Sequence, residues 1–128
     1  MRILLDTHIA LWAITDSPQM PRPARDLVAD PANDIVVSAA SVWEIAIKHG
    51  LGRGSMPVSG ADALSYFREA GYRLLTVSAE QAAFAETLPP IHSDTFDRIL
   101  VAQALCEPMR LLTHDRTIAR YSDSVILV

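Results

Sequence analysis

This sequence has few of the residues that mark a secreted, zinc-binding or membrane-spanning protein. Its 128 residues include one cysteine, Cys106, so no internal disulfide can form, and no Cys/His cluster has zinc-site spacing. We interpret Cys106 as a small core residue. No stretch approaches the roughly 18 apolar residues that span a bilayer, and the N-terminus lacks the features of a signal peptide. These absences predict a soluble, cytoplasmic protein without a membrane partner.

Aromatic residues are also scarce, since the chain has only eight, whereas half of its residues are hydrophobic. The core is therefore predicted to consist mainly of Leu, Ile, Val and Ala. The length suits one domain, and no repeat or linker divides the chain, so we expect a single domain over residues 1–128. The segment 50–57 is predicted to be the most flexible. Its GLGRGS run lacks the Lys-Ser/Thr ending of a nucleotide-binding loop.

Short apolar runs alternate with segments of helical spacing along almost the whole chain. The apolar runs predict strands at 2–5, 35–38, 72–77, 110–113 and 124–128. The helical spacing predicts helices at 8–14, 22–29, 42–48, 61–70, 79–88, 96–106 and 116–121. Continuous apolar strands are typical of a sheet that is covered on both faces. The predicted fold class is a three-layer α/β/α domain with a central, mainly parallel sheet of about five strands.

Four carboxylates fall near predicted strand ends or helix starts. Asp6 follows the first strand, Glu44 lies near the start of the helix after the second, and Asp115 follows the fourth. The carboxyl ends of parallel strands share one edge of the sheet, where α/β proteins bind ligands. Asp97, at the start of the helix over 96–106, is the fourth candidate. The pattern predicts an acidic site at this edge.

Each of these acids also has an ordinary structural explanation. Ser41 and Glu44 fit the S-x-x-E pattern of a capping box, in which the glutamate bonds back to the helix start. The other three have comparable alternatives, namely helix caps at Asp6 and Asp115 and an ion pair of Asp97 with Arg98 or Arg68. Both interpretations stay open for every acid when it is taken singly.

A shared pocket for the four acids would require a positive partner. Two unit charges ~4 Å apart repel by roughly 4 kcal/mol at an effective dielectric constant near 20. Hard divalent cations suit such all-oxygen sites, and zinc is the weaker candidate because the sequence has no HExxH motif. Setting these four aside leaves eleven acidic residues against eleven Lys and Arg. The net charge of −4 therefore does not exclude a nucleic-acid partner.

Four segments of the chain resemble, in order, the motifs of the PIN-domain ribonucleases. They are LLDTHIALW at 4–12, VSAASVWEIAIKHGLGR at 37–53, HSDTFDRILVAQAL at 92–105 and LLTHDRTIARY at 111–121. The group they resemble most is the VapC-like toxins of bacterial type II toxin–antitoxin pairs. The resemblance implies a compact α/β/α fold and an endoribonuclease activity that depends on Mg²⁺ or Mn²⁺.

The resemblance also implies roles for individual residues. The catalytic acids would be Asp6, Glu44, Asp97 and Asp115, with Asp6 and Asp97 as central metal ligands and the other two completing the site directly or through water. Supporting roles are expected for three further residues. The hydroxyls of Thr7 and Thr113 would orient Asp6 and the metal-bound water, and Arg98 would hold the phosphate or pair with Asp97.

Two positions depart from the family pattern. Thr95 stands where relatives usually have Pro, a change that a first helical position tolerates at small cost. No further acid follows Asp115 closely, which argues against a second metal ion. Asp94 is interpreted as the N-cap of its helix rather than as a ligand. His8, His92 and His114 are candidates for a general base. A nucleophile that a metal ion generates from water does not require a histidine base, however.

The resemblance implies RNA as substrate, a homodimer, and a cognate antitoxin whose helix lies in an apolar groove near the site. Trp12 is our candidate for an exposed aromatic residue serving that groove, whereas the stripes around Trp43 and Leu100 are interpreted as core. Two other functions remain alternatives, a Mg²⁺-dependent phosphotransfer or phosphatase domain and a non-catalytic interaction module. The absence of a second Asp two residues after Asp6 counts against a phosphatase.

Overall fold

The computed structural model describes residues 1–52 and 56–128. Its strands are β1 (Arg2–Leu5), β2 (Asp34–Ser38), β3 (Arg73–Leu75), β4 (Arg110–Thr113) and β5 (Ile126–Leu127). Its helices are α1 (Thr7–Ile14), α2 (Arg22–Ala29), α3 (Ala39–Gly50), α4 (Gly60–Glu69), α5 (Ala79–Phe84), α6 (Thr95–Cys106) and α7 (Arg116–Ala119), and a short 3-10 helix (Ala85–Thr87) follows α5. Every predicted strand and helix is present. The predicted flexible segment 50–57 falls partly on residues 53–55, which lie outside the described residues.

The five strands form one parallel sheet in the order β3-β2-β1-β4-β5. The chain builds the sheet outward from β1 in one direction and then returns to the other side of β1 with β4. Such a reversal of direction opens a crevice at the carboxyl ends of the two central strands, where α/β proteins bind ligands. Here that crevice lies between the ends of β1 and β4.

Alternate residues of the central strands face two separate hydrophobic cores. Ile3 and Leu5 pack with α1, α2, α3 and α4, whereas Leu4 packs with α6 and α7 on the opposite face. Both faces of the sheet are buried, as continuous apolar strands require. The predicted three-layer α/β/α arrangement is therefore confirmed.

Two predictions about single residues of the core are wrong. Cys106 is exposed, because it is the last residue of α6, where the helix leaves the core. The sequence predicts Trp43 in the core, but 62% of it is exposed, and its ring contacts Phe96 edge-on with the ring centroids 5.4 Å apart.

Among the residues that the structure describes, no helix combines the length and hydrophobicity that crossing a bilayer requires.

Candidate metal centre

Asp6 lies directly after β1 and is almost completely buried, with 3% of the residue exposed. Its Oδ2 accepts a 2.6 Å hydrogen bond from the Thr113 hydroxyl, while its buried Oδ1 has no hydrogen-bond partner among the described residues. Asp6 occupies the N-cap position of α1, but its side chain makes no capping hydrogen bond. The cap interpretation is therefore wrong for this side chain. Burial raises the pKa of Asp6, and the nearby Glu44 adds to the rise.

Thr113, the last residue of β4, connects two of the four acids. Its hydroxyl donates to Asp6 and accepts a 3.0 Å hydrogen bond from the backbone N–H of Asp115. The Asp115 side chain in turn accepts from the backbone N–H of Thr117, 2.8 Å away, and so caps α7. One buried hydroxyl thus fixes the position of Asp6 relative to the start of α7. The predicted cap at Asp115 is confirmed.

Replacing Thr113 with Val is expected to weaken binding of Mn²⁺ by about 10- to 100-fold, the usual effect of losing a hydrogen bond to a metal-ligating carboxylate. Val keeps the volume but removes both the donor to Asp6 and the acceptor for Asp115 N–H. Thr113→Ser keeps the hydroxyl and is the matched control. The affinities are measured by isothermal titration calorimetry, and equal affinities of the two variants would contradict the assigned role.

Glu44 is also buried, with 3% of the residue exposed, but it does not form the predicted capping box. Helix α3 begins at Ala39, immediately after β2, and Ser38 caps it by accepting from the backbone N–H of Ala40. The Glu44 Oε2 lies 2.5 Å from Nζ of Lys48, one turn later on the helix. Its Oε1 is buried and unpaired within the described part of the chain.

The Thr7 hydroxyl does not bond to Asp6 as predicted, although the Thr7 backbone N–H contributes a hydrogen bond to that carboxylate. Its hydroxyl donates a 2.8 Å hydrogen bond to the Ser41 hydroxyl, both side chains being buried. This bond links the first residue of α1 to α3. The Thr7 hydroxyl therefore holds two helices together beside the acids instead of orienting Asp6.

Asp97 lies in the first turn of α6, which begins at Thr95 after the N-cap Asp94. The Asp94 side chain accepts from the backbone N–H of Asp97, 3.0 Å away, so the N-cap prediction is confirmed. Burial, followed by the charges of Asp6 and Asp94, raises the pKa of Asp97 to about 7. The proposed ion pairs of Asp97 with arginine are absent among the described residues. Its Oδ2 lies instead 3.1 Å from Nε2 of His92.

Arg98 points to the loop before α6 rather than to the acids. Its two terminal nitrogens donate to the Tyr121 hydroxyl and to backbone carbonyls, those of Ala85, Leu88 and Pro89. All of these donor–acceptor distances lie between 2.9 and 3.4 Å. The predicted contact with Asp97 is therefore wrong, and these bonds commit the guanidinium to the protein rather than to a phosphate.

Asp115 differs electrostatically from the buried Asp6 and the half-buried Asp97. Its partial burial opposes ionisation, but hydrogen bonds from His92 and from the backbone N–H of Thr117 outweigh this effect and lower its pKa. The centre thus combines two carboxyls that favour protonation, Asp6 and Asp97, with one that favours the charged state. Such divergent pKa values are typical of functional sites.

A cavity of about 250 Å³ brings three of the four predicted acids together, and its wall contains Asp6, Asp97, Asp115, His8, Trp12 and His114. Glu44 does not line this cavity, although its charge raises the pKa of both Asp6 and Asp97. Trp12 is half-buried between the rings of His8 and His114, with centroids 6.0 and 5.8 Å away. The prediction that Trp12 is exposed is therefore wrong, whereas Trp43 and Tyr66 are exposed.

The oxygens of this centre fit a divalent cation. Asp6 Oδ1 and Glu44 Oε1 are buried and unpaired in the described structure, an arrangement that costs free energy unless a cation or water satisfies them. A further group consists of one carboxylate oxygen each from Asp97 and Asp115 and one ring nitrogen of His92, and these atoms all lie within 4.8 Å of one another. A set dominated by carboxylate oxygens suits Mg²⁺ or Mn²⁺. The chain therefore has an acidic group with the composition of a metal site.

Two residues at the centre were not predicted from the sequence. Lys48 was detectable, because a lysine four residues after Glu44 on a helix is placed to pair with it. His92 was considered only as a general base, and no spacing rule places a loop histidine between Asp97 and Asp115. Its position depends on the path of the chain before α6.

Comparisons with known proteins agree with this architecture. VapBC2 of Rickettsia felis bound to a promoter DNA fragment is similar over 100% of this chain and 98% of its own, with a TM-score of 0.70 and 19% identity. FitAcB of Neisseria gonorrhoeae is similar over 98% of this chain and 96% of its own, with a TM-score of 0.62 and 19% identity. A toxin–antitoxin complex of Klebsiella pneumoniae is similar over 97% of this chain and 95% of its own, with a TM-score of 0.64 and 20% identity. At these identities the similarity shows the fold.

Comparison at the level of sequence identifies the family. No curated protein matches the chain. The sequence model of the PIN domain, in contrast, matches residues 3–124, which include β2 to β4, all of β1 except Arg2, and all four predicted acids. Because this match spans nearly the whole chain, the protein belongs to the PIN domain family.

Proposed function

We propose that this protein is a metal-dependent endoribonuclease and the toxin of a type II toxin–antitoxin pair. The observation that carries the proposal is the convergence of Asp6, Asp97 and Asp115 on one cavity, where a buried oxygen of Asp6 lacks a partner among the described residues. Membership of the PIN domain family and the toxin–antitoxin complexes among the similar structures support it.

In this proposal Asp6 and Asp97 are the principal ligands of a Mg²⁺ or Mn²⁺ ion, and Glu44 and Asp115 complete the site directly or through water. The bound ion supplies activation of water and neutralisation of the charge that develops on a phosphodiester. The protein contributes a fixed arrangement of oxygens: Thr113 holds Asp6, and Lys48 holds Glu44. A preorganised site of this kind needs little rearrangement during the reaction.

The surface around Trp43 supports the proposed protein partners, an antitoxin and a second copy of the chain. Trp43 and Phe96 form an aromatic pair between two largely apolar grooves of about 700 and 670 Å³. Exposed aromatic residues at apolar grooves are typical of sites that bind other proteins. One of the similar structures, that from Klebsiella pneumoniae, is a complex of a toxin with an antitoxin.

The test is RNA cleavage by purified protein, free of any antitoxin, in Mg²⁺ or Mn²⁺ and with EDTA as a control. Wild type is expected to cleave RNA only with the ion, and Asp97→Asn to leave it intact. Asp62→Asn, which changes an exposed acid of α4, is the matched control and should retain activity. Expression of wild type, but not of Asp97→Asn, should arrest bacterial growth. RNA left equally intact by wild type and Asp97→Asn would refute the nuclease.

A further inference from the structure

His92 contacts the acidic centre from the loop that precedes α6. Its Nε2 lies 3.1 Å from Oδ2 of Asp97 and 3.1 Å from Oδ2 of Asp115, and the contact with Asp115 has hydrogen-bond geometry. The two aspartates come from different helices, α6 and the start of α7. One imidazole nitrogen is therefore the contact that bridges these two sides of the cavity.

The other ring nitrogen defines the tautomer of His92. Nδ1 lies 3.1 Å from the backbone nitrogen of Asp94, whose N–H can only donate. Nδ1 must therefore accept with its lone pair, and the proton of the neutral ring is on Nε2. An Nε2 that carries a proton has no lone pair to offer a metal ion. In this arrangement His92 donates its Nε2 proton to Asp115, while Asp97 lies 3.1 Å from the same nitrogen.

The backbone of His92 is held by a second set of contacts. Its N–H donates to the Tyr121 hydroxyl, 2.8 Å away, and that hydroxyl also accepts from Arg98 at 3.2 Å. Arg98 is in turn bonded to carbonyls at both ends of the segment 85–89. The imidazole ring thus reaches the acids from a loop that Tyr121 and Arg98 hold in place. The bonds of Arg98 to this loop therefore serve to position His92.

We propose that His92 is a positioning residue of the metal centre, which uses its Nε2–H to hold Asp115 and Asp97 on either side of one nitrogen and does not itself bind the ion. The inference rests on the proposed function only for the presence of a divalent ion. Without this donor, two carboxylates that face a common cavity repel each other, and ion binding has to bring them together again. Outer hydrogen bonds of this kind orient ligating carboxylates and raise metal affinity.

The experiment measures Mn²⁺ affinity by isothermal titration calorimetry of the full chain. His92→Phe removes the donor and is expected to weaken binding by about 10- to 100-fold. His92→Gln, whose amide nitrogen can reach the position of Nε2, is expected to remain within about threefold of wild type. His49→Phe, at an exposed position near the end of α3, is the matched control and should bind like wild type. Unfolding temperatures of all variants verify that each is folded.

Pulsed electron paramagnetic resonance of bound Mn²⁺ separates positioning from ligation. In wild type we expect no hyperfine coupling between Mn²⁺ and a directly bound nitrogen. If such a coupling is present in wild type and disappears in His92→Gln, the proposal is overturned. Equal or higher Mn²⁺ affinity of His92→Phe would overturn it as well. If wild type itself bound no Mn²⁺, the proposed metal centre would fail, whereas binding that no His92 variant changes would leave the centre intact and refute only the role of His92.

Discussion

Replacing Asp6 with Asn is expected to abolish RNA cleavage and divalent-metal binding, while the metal-free protein remains at least as stable as wild type at pH 8. Asp6 is buried, its pKa is raised by that burial, and Oδ1 lacks a partner among the described residues. The Asn carbonyl can still accept from Thr113, and its amide then faces Glu44 and Asp97 as a donor instead of a like charge. Function and stability should therefore change in opposite directions.

The two effects are measured separately. Cleavage should fall by at least about 10²- to 10³-fold, the range found when a group that stabilises the transition state is removed, and calorimetry should detect no Mn²⁺ binding. The unfolding temperature in EDTA should be equal to that of wild type or higher. Asp26→Asn, an exposed acid of α2, is the matched control and should change neither activity nor stability. A variant with lower stability than wild type in EDTA would mean that Asp6 is structural.

The fold was predictable because its determinants are local and repeated. Ile3 and Leu5 face one core and Leu4 the other, so a continuous apolar run of this kind requires helices on both faces. Pro and Gly at the boundaries placed the strands to within a few residues. The alternation of strand and helix then required parallel pairing, since each crossover returns the chain to the same edge.

The acids were predictable from their positions at strand ends, but their contacts were not. The S-x-x-E pattern suggested that Ser41 begins a helix, whereas α3 begins directly after β2 with Ser38 as its cap. Two serines three residues apart can both cap a helix, and the sequence does not decide between them. Ser41 consequently lies inside the helix, where Thr7 donates to it. Local motifs identify the acids but leave their hydrogen-bond partners undetermined.

The remaining differences concern surfaces and loops. Helical spacing places Trp43 on a face of α3, but whether a neighbour covers that face depends on how far α4 and α6 extend. His92 reaches the acids because Tyr121 and Arg98 fix the loop before α6, and these contacts join segments that are distant in sequence. Such tertiary contacts have no period or spacing that a single sequence displays.

The free energy of unfolding of the metal-free protein is expected to fall by a few kcal/mol between pH 5 and pH 8. The pKa of Asp97 is raised from 3.8 to about 7 in the folded state, first by burial and then by Asp6 and Asp94. A folded state that binds the proton more tightly than the unfolded state is stabilised at low pH and loses that stability as the pH rises to about 7. Asp115, whose pKa is lowered, acts in the opposite direction and only in acid.

Urea unfolding in EDTA at pH 5, 6, 7 and 8 measures this dependence. Asp97→Asn cannot ionise, so its free energy of unfolding should fall less steeply than that of wild type, by on the order of 1.4 kcal/mol per pH unit between pH 5 and about 7. The difference between the two proteins reports the ionisation of Asp97 together with its effect on the neighbouring Asp6. Parallel curves would contradict the assignment.

Saturating Mg²⁺ or Mn²⁺ should reverse the trend for wild type and leave Asp97→Asn unaffected. An ion that binds the ionised carboxylates competes with the proton, so its stabilisation increases as Asp97 loses its proton and is largest near pH 8. The buried unpaired oxygens of Asp6 and Glu44 cost the folded protein stability until a cation satisfies them. The proton on Asp97 at low pH and the ion at high pH thus relieve the same repulsion, and the crossover between them should move below the metal-free pKa of about 7 as the ion concentration rises.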